Sequence, residues 1–300
     1  MKRHTIVGLG ELVWDLLPSG KQLGGAPANF AYAAQLLGNR GIVASRIGKD
    51  SLGNETLEQL SKLGLDVSFL QIDPVCRTGI VNVQVDLGGQ PTFNIAESVA
   101  WDSLQWKSAW RALAEHADAV CFGSLAQRSA RSRKTILSFL RAVRPGTARI
   151  FDVNLRQHFY SAEVISESLK LADIVKLNHE ELPRVMEILA LDTGDEESSA
   201  RRLLHACGAK LVCITRGAHG SLLVNLAGIA EHPGFRVPVA DTVGAGDAFT
   251  AALVHHFLRG ASLRVMNAAA NRMGAWVASE AGATPVASAE LLAPVLNPKC

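Results

Sequence analysis

Short apolar runs alternate with helix-length stretches along almost the whole chain, and this alternation constrains its fold more than any other feature. His4 to Gly10 is an apolar run closed by glycines and reads as a buried first strand. Ile42 to Ile47 reads as another, followed by strands near Ala119 to Phe122, Ala148 to Val153, Ile174 to Leu177 and Leu211 to Thr215. Helices are expected at Phe30 to Leu37, capped by Gly38, and at Ser51 to Leu63, ended by Gly64. Two long helices, roughly Gly246 to Arg259 and Leu263 to Ser279, close the chain, after a hairpin of Ser221 to Asn225 and Gly228 to His232. Consecutive parallel strands need a crossover, and helices of this length supply it. The fold class is therefore α/β, with a mainly parallel sheet covered on both faces. No repeat, linker or low-complexity tract divides the 300 residues, so one large body with a small attachment is expected.

The attachment is the segment Thr78 to Ile95. There Ile80, Val81, Val83, Val85 and Leu87 run around polar residues into Gly88-Gly89 and out through Thr92, Phe93 and Ile95, a hairpin inside a βα series. With Glu11 to Pro18 it is read either as a small β-lid over the ligand edge or as an antiparallel edge of the main sheet. A formal net charge of +2 offers no basic face for nucleic acid. The five cysteines are scattered, without zinc spacing, as in a reducing cytoplasm. Glu11 and Asp15 interrupt what would be the apolar part of a signal peptide, and no apolar run is long enough for a membrane span.

The strongest chemical signal is Asp241-Thr242-Val243-Gly244-Ala245-Gly246-Asp247-Ala248-Phe249, a glycine-bearing turn feeding a helix. A first helical turn has unpaired amides and a positive dipole end, and small residues let an anion approach them. Asp247 sits beside that anion and can take a proton from an attacking hydroxyl, or it can simply cap the helix. Gly24-Gly25-Ala26-Pro27-Ala28-Asn29 opens another helix. Paired glycines admit a ligand closely, and Asn29 offers a donor and an acceptor to a hydroxyl, although a tight turn with an Asn cap explains the same letters. Asp15 can accept two hydroxyl hydrogen bonds or stand as a solvated edge charge. Lys176-Leu177-Asn178-His179-Glu180-Glu181, after the apolar strand Ala172 to Val175, suits a hydrated Mg²⁺, and Asn178-x-x-Glu181 is an equally good capping sequence. Thr215-Arg216-Gly217-Ala218-His219-Gly220 is a glycine-rich turn able to host a nucleotide. No P-loop is present, and Gly8-Leu9-Gly10 fails as a dinucleotide fingerprint because Val13 replaces the third glycine. His255-His256, the Trp106 and Trp110 pair, and the basic run Arg128 to Lys134 are assigned to structure, the last as a solvated face.

Taken in order, Gly24-Gly25-Ala26-Pro27-Ala28-Asn29, Gly48-Lys49-Asp50 with Gly53, Asn178-x-x-Glu181, Thr215-Arg216-Gly217 and Asp241 to Asp247 resemble the motif series of the PfkB carbohydrate kinases, the ribokinase-like enzymes, from about Thr5 to Pro285. The resemblance implies a three-layer α/β/α domain over the whole chain, with a β-lid formed by about 11–18 and 77–97. It implies ATP near the carboxyl edge of the sheet, a sugar beneath the lid, and Asp247 as base beside the amides of Gly244, Ala245 and Gly246. Asp15, Gly24, Gly25, Asn29 and Arg156 would hold the sugar. Thr215, Gly217, Gly220, Asn271, Gly282 and Ala283 would line the nucleotide, with Asn178 and Glu181 organising Mg²⁺ through water and Asp241 beside a monovalent cation such as K⁺. Gly10-Glu11, Trp14-Asp15 and Asp152-Val153-Asn154-Leu155-Arg156 look most like bacterial fructokinases. Arg156 also suits an acid sugar, as in a 2-keto-3-deoxygluconate kinase. A non-catalytic sugar or nucleotide sensor is the reading from a different class. No nucleic-acid or membrane partner is expected, and exposed lid strands allow a homodimer.

Overall fold

The structure, a computed structural model, describes residues 2–17, 20–85 and 91–298. In chain order the elements are β1 (Thr5–Leu9), β2 (Val13–Leu17), β3 (Gly20–Gly24), α1 (Ala26–Leu36), β4 (Arg40–Gly48), α2 (Ser51–Lys62), β5 (Leu70–Asp73), β6 (Gly79–Val85) and β7 (Pro91–Ile95). There follow α3 (Ser108–His116), β8 (Ala119–Phe122), α4 (Ala130–Ala142), β9 (Ala148–Asp152), α5 (Ala162–Leu171), β10 (Ile174–Asn178), α6 (Glu181–Ile188) and α7 (Glu196–Cys207). The chain continues through β11 (Leu211–Thr215), β12 (Ser221–Asn225), β13 (Gly228–His232), α8 (Ala245–Phe257), α9 (Leu263–Ala278) and α10 (Ala289–Leu296).

Strands β13-β12-β11-β10-β9-β8-β1-β4-β5 form the main sheet in that order, parallel from β5 to β11 and antiparallel at the β12–β13 end. Alternation along each strand sorts side chains onto two cores. Val7 and Leu9 join Trp110, Phe139, Ile165, Val185 and Leu203, from α3 to α7, on one face. Ile6 joins Phe30, Val254, Met273 and Val295, from α1, α8, α9 and α10, on the other. α2 packs beside α1 through Leu60, Ala31 and Val43. Three layers result. Local chemistry sets several helix starts: Asp50, Ser161 and Asp195 accept from the amides of Gly53, Val164 and Ser198 at 2.8, 3.2 and 2.7 Å.

β3-β2-β6-β7 form a separate sheet in that order, so the hairpin is not an edge of the main sheet. Buried Trp14 ties this second sheet down from β2, donating through Nε1 to Leu52 O at 3.1 Å and Thr56 Oγ1 at 2.9 Å on α2. The expected Gly88-Gly89 turn and Pro18 lie outside the described residues. β3, β5 and α10 were not foreseen, and α1 begins at Ala26 rather than Phe30. The solvated reading of Arg128 to Lys134 holds for the exposed Arg131 and Lys134 and is corrected for Arg128. Arg128 is buried against Asp102 at 2.9 Å, covers the Trp101 and Phe159 rings, and donates to Ala96 O just after β7, where its charge meets both a carboxylate and flat apolar faces. Trp110 and the His pair are structural as expected: Trp110 packs edge-on to Phe139, and His255 and His256 bond Asn39 and Val295 O. Among the described residues, no helix is long and apolar enough to cross a membrane.

Candidate active site

The order of the main sheet reverses at β1. β4 and β5 build away on one side, and β8 to β11 on the other. In such sheets the crevice beyond the carboxyl ends at the reversal point is where ligands bind. Here that crevice is lined by Glu11 after β1, Gly123 after β8, Asp152 and Asn154 at the end of β9, Pro27 and Phe30 of α1, and Asp247 and Thr250 of α8.

Helix α8 begins at Gly244, whose φ of 77° is left-handed, and a Cβ there would lie 2.5 Å from the Ala283 Cβ. Glycine is therefore required both by the backbone and by the contact. The first-turn amides have no partner one turn back. That of Ala245 is directed at Thr242 O at 3.3 Å, which leaves Gly246 and Asp247 as the amides best placed for an anion. Behind this turn Lys176, buried in the middle of β10, holds both oxygens of Asp152 at 3.0 and 3.1 Å. The Thr250 hydroxyl bridges Asp152 Oδ2 at 3.2 Å and Gly246 O at 2.8 Å. Asp152 and its neighbours hold the Lys176 ammonium well above its ordinary proton affinity despite burial, so a fixed positive charge underlies the anion turn.

Asp247 Oδ2 accepts from Asn29 Nδ2 at 2.8 Å, joining the two glycine-bearing helix starts across 218 positions of sequence. Desolvation, reinforced by Asp152, pushes the Asp247 carboxyl up to about 7. The Asn29 bond and the charges of Lys176 and Arg156 oppose that rise. A carboxyl poised near neutrality is suited to exchanging a proton with a hydroxyl.

Asp15 on β2 is half-buried, and its carboxyl is raised by desolvation against the pull of Arg156, with Asp241 adding to the rise. Gly24 and Gly25 pass so close that a Cβ would lie 2.7 Å from Asp15 Oδ2 and from Glu11 O respectively. Arg156 is exposed on the loop after β9, and its charge acts on Glu11, Asp15 and Asp247 alike. These residues, with Asn29 and the anion turn, are brought together around the carboxyl edge.

The remaining expected residues are more committed to structure. Asn178 Oδ1 accepts from the amides of Glu180 and Glu181, while the Glu181 carboxylate accepts from Asn178 and Leu155 at 2.8 Å each, a reciprocal cap. Thr215 ends β11, and its carbonyl accepts from His179 N at 2.9 Å. Gly217 opens the short turn Gly217–His219, and Gly220 closes it, accepting from Arg216 N at 2.8 Å. Asn271 on α9 is buried, its Nδ2 given to Ser221 Oγ and Asn267 O at 2.8 Å each, where it pins α9 to β12. Asp241 accepts from Val243 N at 3.0 Å and Gly282 N at 3.3 Å, and Ala283 rests against Gly244. The sequence reading carried Lys176, Asp152 and Glu11 inside the motifs it quoted but gave none of them a role in the site. A charged residue at the end of an apolar strand was the available signal.

A three-layer sheet with a separate lid, and a carboxylate in the first turn of a helix at its reversal point, is the build of an α/β/α carbohydrate kinase. The sequence profile described as pfkB family carbohydrate kinase matches residues 19–290, and the chain belongs to that family: it is a sugar kinase. It is 32% identical over 297 residues to a putative sugar kinase of Pyrococcus horikoshii, covering 93% of this chain and 91% of that protein. The crystal structure of that protein superposes with a TM-score of 0.83, covering 96% of each chain. A fructokinase of Klebsiella pneumoniae is 31% identical over 258 residues, 82% of each protein. The crystal structure of a fructokinase from Vibrio cholerae O395 in fructose, ADP and calcium ion bound form has a TM-score of 0.76 at 27% identity, over 93% of this chain and 94% of that one. The ribokinase-like α/β fold expected from the sequence is thereby shown.

Proposed function

We propose that the protein transfers the γ-phosphoryl group of ATP to a primary hydroxyl of a small neutral sugar, fructose first among the candidates, with Asp247 as the base. The observation that carries this reading is the Asn29–Asp247 bond at 2.8 Å, which fixes a carboxyl poised near neutrality at the mouth of an anion-binding turn. Asn29 holds one oxygen of Asp247 and leaves the other for the acceptor hydroxyl. The Gly246 and Asp247 amides, backed by Lys176, face the developing charge of the migrating group. Asp15 and Asn29 orient the sugar, and the lid excludes water that would compete as acceptor.

The similarity to the fructokinases of Klebsiella pneumoniae and Vibrio cholerae supports fructose, and the Pyrococcus horikoshii sugar kinase, also solved in complex with ATP, supports the nucleotide. Thr215, Gly217, Gly220, Gly282 and Ala283 are proposed to border it, with Asn271 holding α9 in place behind it. The charge of Arg156 already acts on Glu11, Asp15 and Asp247, so a substrate carboxylate would enter a field shared with three other carboxyls. This disfavours the acid-sugar alternative.

Asn178 Oδ1 and the Glu181 carboxylate offer oxygen acceptors, both tied to backbone amides, a donor set that fits a magnesium ion reached through its own waters. That ion would neutralise phosphate oxygens. A fructokinase double mutant of Vibrio cholerae was solved in fructose, ADP and potassium ion bound form; a monovalent cation beside Asp241 belongs to the same reading, resting on carbonyls because the Asp241 carboxylate already serves two amides. The outer lid strands, β3 and β7, are the surface proposed for pairing of two copies.

A panel of ketoses, aldoses and sugar acids with Mg-ATP, read by ADP release and by the position of the new phosphate ester, tests the reading. Fructose phosphorylated at a primary carbon is expected. Turnover confined to sugar acids would contradict it.

A further inference from the structure

Glu11 follows β1 and is 4% exposed, yet its Oε2 has no hydrogen-bond partner. Buried carboxylate oxygens without a donor are rare because desolvation then goes uncompensated. The nearby carboxylate of Asp152 is taken up by Lys176 and Thr250, and that of Asp247 by Asn29 on one side. Pro27, Phe30 and Phe122 give the crevice apolar walls that supply no hydrogen. Desolvation raises the Glu11 carboxyl, the charges of Arg156 and Arg128 pull it back toward the ionised, accepting form, and Arg128 Nη1 is likewise buried without a partner. The room left in the crevice is about 10 Å³, space for no more than one water-sized group such as a hydroxyl. The orphan acceptor therefore calls for one O–H donor, beside the carboxylate assigned to the acceptor hydroxyl.

We propose that Glu11 is a specificity-determining residue whose unpartnered oxygen accepts the hydrogen of a second hydroxyl of the sugar while another hydroxyl of the same molecule faces Asp247. This rests on the sugar-kinase reading and adds what that reading lacks, a group that counts hydroxyls. A site that hydrogen-bonds a hydroxyl rejects the analogue lacking it strongly, because its own buried group is then left unpaired. Glu11 thus selects polyhydroxylated substrates over deoxy ones.

The test compares wild type with Glu11→Gln and Glu11→Leu on D-fructose and each of its monodeoxy analogues, with KM for ATP as the check that the variants are folded. In wild type, kcat/KM is expected to fall about 10²- to 10⁴-fold for one particular monodeoxy analogue. In Glu11→Leu that ratio should collapse to within about tenfold, as fructose becomes poor and the analogue does not. Glu11→Gln should fall between the two. A wild-type ratio preserved in Glu11→Leu, or equal losses on every sugar, as for a residue that holds only a structural water, would overturn the assignment. Wild type active on other sugars but not on fructose moves the same comparison to the best of them. Wild type inactive on every sugar would defeat the kinase reading itself, and the role of Glu11 with it.

Discussion

At the scale of single residues the site depends on how Asp247 is held. As the proposed base it would work ionised, and its carboxyl is pushed up to about 7, so kcat/KM should fall as pH drops through the neutral range and level off above it. The Asn29 bond favours the ionised form. Replacing Asn29 with Leu removes that donor, moves the acid limb to higher pH, and should lower kcat/KM at neutral pH about tenfold. A pH–rate profile of both proteins checks the direction; an unmoved limb would show that Asn29 does not touch the working base. The meeting of Asn29 and Asp247 was not legible in the sequence. Each sits in a glycine-marked helix start that could be read as a simple cap, and only the packing of α1 against α8 turns two local signals into one constellation. For Asn178 and Glu181 the capping reading is realised in full, since both side chains satisfy backbone amides. For Glu11 the visible signal was merely a charge that interrupts an apolar run.

At the scale of elements, the start of α8 is set by Gly244. Alanine there meets both a left-handed backbone and the Ala283 Cβ at 2.5 Å, so Gly244→Ala should cost about 1–3 kcal/mol of stability and displace the anion turn, lowering kcat as well. Gly146→Ala is the contrast: φ is +90° with nothing within 4 Å of a new Cβ, and the site is distant. It should lower Tm slightly and leave turnover intact. Thermal melts and initial rates on the two variants separate backbone strain from loss of the site. The interior strands β8, β10 and β11 were legible because burial on both faces demands continuous apolar runs. β3 was not, because Gly20-Lys21-Gln22-Leu23-Gly24 carries no such run and becomes a strand only by pairing with β2. β5 is four residues at the sheet edge, where the burial pattern is too short to declare itself. α10 contains Pro294, a residue that argues against a helix until the Val295 side chain is seen buried against its neighbours.

At the scale of the whole molecule, two cores clamp one sheet so that the end of β1, the start of α1 and the start of α8 converge at the sheet's reversal point, and the second sheet, the proposed lid, is tied to α2 through Trp14. That arrangement makes transfer to water the competing reaction and the seated sugar the condition for transfer. ADP release without sugar should accordingly be at least about 10²-fold slower than with the preferred sugar, measurable in the same coupled assay. The central claim is that Asp247 removes the proton from the acceptor hydroxyl. Its most direct test is the single-turnover rate of Asp247→Asn with ATP and the best sugar, alongside nucleotide affinity. The expected result is a loss of about 10²- to 10⁴-fold in rate with ATP binding essentially unchanged. Near-wild-type turnover in that variant would contradict the account.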